Sequence, residues 1–141
     1  MPDNYYTNSL NAQRLWQVYD TAIPRVSEYL QRETAFVRDR LKKTDAVLEI
    51  AAGYGRMMKE LAPFVGSITG IEISGGNVCF GGEYLKNIAN TELLVMDAHN
   101  IDYDSCFDAV LCLQNGLSAI RADVPEAFAA KVIRALKIGG K

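Results

Sequence analysis

Residues 46–56 read Ala46-Val47-Leu48-Glu49-Ile50-Ala51-Ala52-Gly53-Tyr54-Gly55-Arg56, and this stretch decides the fold. Ala46 to Ile50 is a short apolar run, the pattern of a buried parallel strand. Gly53 and Gly55 break that run, and Arg56 to Leu61 reads as a helix stopped near Pro63. Strand, glycine turn and helix together bring backbone N–H groups and a helix N-terminus against a ligand. Glu49 sits inside the strand, where an ionised carboxylate needs a partner. These features point to a nucleotide-like cofactor with a positively charged part.

Outward from this stretch, strands are predicted near 46–51 and 67–73, then over 92–96 and 107–113. A helix from about Asn77 to Ile88 follows the second strand, weakened by Gly75, Gly76, Gly81 and Gly82. A last amphipathic helix covers about 123–136, with Asp123 as its cap and Pro125 in its first turn. Its inward face is Val124, Phe128, Val132, Ile133 and Leu136. The first forty-odd residues read as helices. Leu10, Leu15, Val18, Tyr19 and Ala22 form one apolar face, and Val26, Tyr29, Leu30, Phe36, Val37 and Leu41 a second. Pro24 fits the first turn of the second helix. Strands alternating with helices imply an α/β, doubly wound, Rossmann-like parallel sheet. Ligands bind such sheets at the carboxyl ends of the strands, near the switch point in strand order.

Glu49-Ile50-Ala51-Ala52-Gly53-Tyr54-Gly55 resembles the first motif of class I S-adenosylmethionine (SAM) methyltransferases, an acid followed by alternating glycines, with Ala51 in the first glycine position. Further motifs follow in family order. Gly70-Ile71-Glu72-Ile73-Ser74 resembles the end of the second strand, and Val95-Met96-Asp97-Ala98 the end of the third. Phe107 to Leu113 resembles the fourth strand, and Leu136-Lys137-Ile138-Gly139-Gly140 the turn before the fifth. The resemblance spans roughly residues 46 to 140 and implies a seven-stranded fold, of which about four strands are found. The chain therefore reads as a C-terminally truncated member, with residues 1–43 as an N-terminal helical lid and 44–141 as a partial SAM-binding domain.

The resemblance implies roles for individual residues. Glu72, with Ile73 beside it, holds the ribose hydroxyls. Asp97 meets the adenine amino group, and the Ala98 N–H a ring nitrogen. Gly53, with Ala51 and Gly55 in the same turn, passes close to the methionine part. Carbonyls of Leu113 and Gln114 accept from the SAM ammonium, and Asn115 orients a substrate. Each also has a plain alternative: turn glycines, a solvated strand-end acid at Glu72, a capping aspartate at Asp97, a polar turn at 114–118. Two readings stay open for Glu49, the cofactor ammonium and a purely structural role. His99, the one histidine, faces either the adenine edge or the surface. Trp16-Gln17-Val18-Tyr19 with Arg25, Glu28 and Tyr29 is similar, across a one-residue gap, to the lid of glycine N-methyltransferase and related small-molecule enzymes. That likeness implies that Trp16 covers the cofactor and Arg25 pairs with its carboxylate. The alternative is that Trp16 and Tyr19 are core residues of an amphipathic helix.

The 141 residues, 49% hydrophobic, suffice for one domain with a core. A net charge of −2 gives no electrostatic reason to expect a nucleic-acid partner. No run is apolar and long enough for a bilayer, and the N-terminus lacks a signal-peptide pattern. Cys79, Cys106 and Cys112 have no metal spacing and read as reduced thiols of a cytoplasmic protein, so no metal is expected.

The resulting expectation is methyl transfer from SAM to a small molecule, leaving S-adenosylhomocysteine. One alternative is a non-catalytic SAM-binding or assembly module. Another is a nicotinamide-dependent oxidoreductase, against which Met58 stands where the dinucleotide fingerprint needs a third glycine. Without a fifth strand, residues 107–113 form an open apolar edge that recruits a partner strand. A homodimer with an incomplete acceptor pocket and little or no turnover is expected.

Overall fold

A computed structural model describes residues 5–114, 116–120 and 125–141. Among them, four parallel strands form one sheet: β1 (Ala46–Ile50), β2 (Ser67–Glu72), β3 (Thr91–Val95) and β4 (Ala109–Leu111). Their order is β3-β2-β1-β4, so the chain steps outward from β1 twice and then returns to its other side. The switch point therefore lies between β1 and β4. Glu49 stands level with Gly70 on β2 and Leu111 on β4.

Side-chain alternation along β1 sorts the core into two layers. Val47 joins Ile68 and Ala109 beneath three helices, α3 (Pro24–Arg38), α4 (Arg56–Leu61) and α5 (Gly75–Leu85). Leu48 and Ile50 join Ile71 and Phe107 on the opposite face, under α7 (Pro125–Ala135). The short α1 (Tyr5–Asn8) precedes α2 (Ala12–Tyr19), which rests on α5, and α6 (Gly116–Ala119) follows β4. Ala12 N–H donates to the buried Asn77 Oδ1 and ties α2 to α5.

A Cβ on Gly70 would run into Met58 Sδ, with Ala52 Cβ and Leu93 Cδ1 at 2.9 Å. The missing side chain on β2 is thus the space that Met58 fills from α4. A Cβ on Gly81 would meet Leu93 and the Tyr54 carbonyl. This close approach explains why α5 forms through its glycines, from Gly75 rather than Asn77: Ser74 Oγ accepts from Asn77 N–H as its cap, and packing overrides propensity.

Three expectations are corrected. Ile133 does not face inward; it is 69% exposed. The buried Ala135 and the half-buried Phe128 and Val132 make the inward i, i+4, i+7 stripe of α7, and Ile133 lies a helical step off it. Strand β4 is shorter than 107–113. Its edge is also not fully open. Lys137 N–H donates to the Phe107 carbonyl, Lys141 N–H to the Asp108 carbonyl, and Val110 N–H to the Lys141 carbonyl. The chain's own residues after α7 thus cover the first half of that edge. The expected cap Asp123 and the inward Val124 lie outside the described residues.

Candidate functional site

A cavity of about 430 Å³ opens at the carboxyl ends of the strands, across the switch point. That is within the range of roughly 300–1,000 Å³ typical of small-molecule sites. All four strand exits contribute to its wall. Glu49, Ala51 and Gly53 come from the β1 exit, Glu72 and Ile73 from β2, Asp97 and Ala98 from β3, and Leu113 and Gln114 from beyond β4.

The glycine turn is built on unusual backbone. Gly53 has φ +59° and Gly55, which precedes α4, has φ +88°. Ala51 adopts φ +57°, a left-handed conformation that costs a residue with a Cβ about 1–2 kcal/mol. Gln114, with φ +55°, carries the same strain on the opposite wall. Strained residues concentrate at sites where the surrounding structure holds them for a purpose.

Glu72 is buried, and both its oxygens are engaged. Oε2 accepts from Gly53 N–H at 2.9 Å and Oε1 from Ser74 N–H at 2.9 Å. The carboxylate thereby staples the end of β2 to the glycine turn while lining the cavity. Asp97 accepts from the backbone N–H of His99 at 2.9 Å and contacts its Nδ1 at 2.8 Å. The backbone hydrogen bond leads the effects that hold its carboxyl below the usual range. His99 lines the cavity with its ring between Asp97 and Phe128.

Glu49 is 5% exposed, and its Oε2 has no hydrogen-bond partner. Burial pushes its pKa up to about 8; the nearby Arg56 cation opposes the shift, and Glu33 and Glu72 reinforce it. The carboxyl is therefore largely neutral at pH 7, an unfilled polar group facing a cavity. Burial, aided by Glu49, also raises the Cys112 thiol.

Arg56 extends from the first residue of α4 into the cavity wall. Its Nη2 pairs with Glu33 Oε2 of α3 at 2.8 Å, and its guanidinium lies 4.9 Å from the ring centroid of Tyr19 on α2. Glu33 Oε1 accepts from Gln114 Nε2 at 2.6 Å. Sequence reasoning assigned no role to Arg56, Glu33 or Asn77. Arg56 reads as an ordinary helix start, and Glu33 meets its partners only across the fold.

The N-terminal helices reach the cavity through Tyr5, Leu15 and Tyr19. Trp16 is half-buried and Arg25 exposed, and neither lines the cavity. Gly55 is buried behind the wall. Asn115 lies outside the described residues. Among the described residues there is no cluster that could hold a metal ion and no helix long and apolar enough to cross a membrane.

A methyltransferase-domain family matches residues 47–140, two-thirds of the chain. No curated protein sequence matches. Among solved structures, the DhpI–SAH complex superposes with a TM-score of 0.73 at 23% identity, covering 91% of this chain and 61% of its own. Phosphoethanolamine N-methyltransferase 1 of Haemonchus contortus, bound to phosphoethanolamine and S-adenosylhomocysteine, has a TM-score of 0.63 at 19% identity. It covers 74% of this chain and 23% of its own. An rRNA methylase from Streptococcus thermophilus gives 0.61 at 19%, covering 79% and 66%. At these identities the likeness is one of fold, and the chain spans less than two-thirds of each neighbour's length.

Proposed function

This chain belongs to the class I SAM-dependent methyltransferase family, and from that membership we propose that its strand-end cavity holds SAM for transfer of a methyl group to a small-molecule acceptor. The observation that carries the reading is that three acids from successive strand ends, Glu49, Glu72 and Asp97, line one cavity beside the glycine turn. In this reading Glu72 accepts from the ribose hydroxyls with its remaining lone pairs. Asp97 and the Ala98 N–H take the adenine edge. Ala51, Gly53 and Ile73 shape the passage between them, with Gly55 holding the turn from behind. Glu49 and the carbonyls of Leu113 and Gln114 receive the ammonium, and Asn115 orients the acceptor. Residues 1–43 act as a lid over a domain formed by 44–141. Trp16 and Arg25 reach the cofactor only if α2 and α3 move on loading.

When bound, SAM supplies an electrophilic methyl group on a sulfonium. The chain's own work is to hold donor and acceptor in line and to keep water out. No general base is needed for an acceptor that arrives unprotonated. The fold is shared by an rRNA methylase and by a small-molecule enzyme. The net charge of −2 favours the small acceptor. Three cysteines without metal spacing fit a cytoplasmic setting. The stretch of β4 edge beyond Val110 supports pairing with a second copy.

Calorimetric titration with S-adenosylhomocysteine tests the site. Glu72→Ala is expected to weaken binding by about 1.5–3 kcal/mol, the range of hydrogen bonds to a charged group. Saturable binding of NAD with none of S-adenosylhomocysteine would overturn the reading.

A further inference from the structure

We propose that Arg56 receives the carboxylate of the cofactor's methionine part and that Glu33, on α3, is its positioning residue; the inference rests on the SAM reading above. The amino-acid end of that cofactor carries one positive and one negative group, and each must meet its opposite inside a partly desolvated cavity. Glu49 is the buried acid on the wall whose Oε2 has no hydrogen-bond partner. Among the described lining residues, Arg56 is the sole arginine or lysine. Arg25, the arginine suggested by resemblance, is exposed and off the wall. Arg56 and Glu49 line the same cavity from the two sides of the glycine turn, Glu49 from β1 and Arg56 from the start of α4.

The guanidinium is already held for this task. Glu33 engages Nη2 alone, and the guanidinium carbon lies over the Tyr19 ring. An arginine has five N–H donors in a fixed fork, so the remaining edge suits a carboxylate. The side chains of this pair are only 15% and 13% exposed, which limits screening by water. Glu33 also grips Gln114, so one acid from the N-terminal helices sets both the arginine and the β4 exit.

The test compares two ligands by calorimetry on the full chain: S-adenosylhomocysteine, and 5′-methylthioadenosine, which keeps the adenosine and lacks the amino acid. Arg56→Met is expected to weaken S-adenosylhomocysteine at least about tenfold while 5′-methylthioadenosine changes less than about twofold. Arg56→Lys recovers part of the loss, because a point charge replaces a fork. Glu33→Gln lowers affinity for S-adenosylhomocysteine about threefold to tenfold and leaves 5′-methylthioadenosine unchanged. Equal losses for both ligands, or no loss for either, overturn the assignment of Arg56; equal losses in Glu33→Gln overturn its positioning role. A wild-type chain that binds neither ligand overturns the SAM reading itself.

Discussion

Glu72 Oε2 accepts a hydrogen bond from Gly53 N–H at 2.9 Å, joining the last residue of β2 to the turn that follows β1. The same carboxylate accepts from Ser74 N–H through its other oxygen, just ahead of α5. One buried acid therefore sets the spacing of two strand exits before any ligand arrives. Glu72→Ala leaves the buried Ser74 N–H and the half-buried Gly53 N–H unpaired and is expected to destabilise the fold by about 1–3 kcal/mol, read as a lower urea midpoint. Glu72→Gln, which keeps one acceptor, should lose clearly less.

Glu49 gives the stability a pH dependence of defined sign. Its folded pKa is raised to about 8 from the model-peptide value of 4.5. The folded chain therefore keeps a proton that the unfolded chain releases. The stability this contributes is fully present below pH 4.5 and is lost as pH rises toward 8. The expected slope is about 1.4 kcal/mol per pH unit inside that window. Glu49→Gln should lack the slope, matching wild type near pH 4.5 and exceeding it near pH 8. Parallel urea midpoints across that range would remove the buried neutral carboxyl.

Ala51 holds φ +57° in the glycine turn. Ala51→Gly removes the Cβ penalty of that conformation and is expected to stabilise by about 1 kcal/mol, against the entropy glycine adds to the unfolded chain. For a domain of this size the melting temperature should rise by about 3 °C in a thermal scan. A fall in melting temperature would show that the strain is not relieved there.

Past Val110 the open edge runs through Leu111, the last residue of β4, and on into Cys112 and Leu113 beyond it. Pairing with a second copy predicts a dimer by light scattering at micromolar concentration. Cys112→Pro, which blocks a backbone donor on that edge, should shift it to monomer. A stable wild-type monomer would remove the strand-paired dimer.

Much of this site was legible in residue order. The apolar runs of β1 and β2 and the acids Glu49, Glu72 and Asp97 belong to local patterns, and local patterns survive folding. What escaped depends on distance along the chain. Glu33 meets Gln114 across 81 positions, and no periodicity marks such a pair. Trp16 drew attention by type, yet Leu15 and Tyr19, one turn apart, are the residues α2 turns toward the cavity. The glycines of α5 argued against a helix start at Gly75, because propensity is silent about the close contact that Gly81 makes possible.

Met58 and Gly70 carry a consequence for related chains. A dinucleotide-binding turn places its third glycine on the helix, so that the helix can lie close against the strand. Here the roles are exchanged: the strand gives up its side chain at Gly70, and the helix fills the gap with a thioether. The volume belongs to the pair, so homologous sequences should covary at these two positions, a larger residue at 70 accompanying a smaller one at 58. The pair is thus a two-letter signature of which side of the interface was hollowed out, readable without a structure.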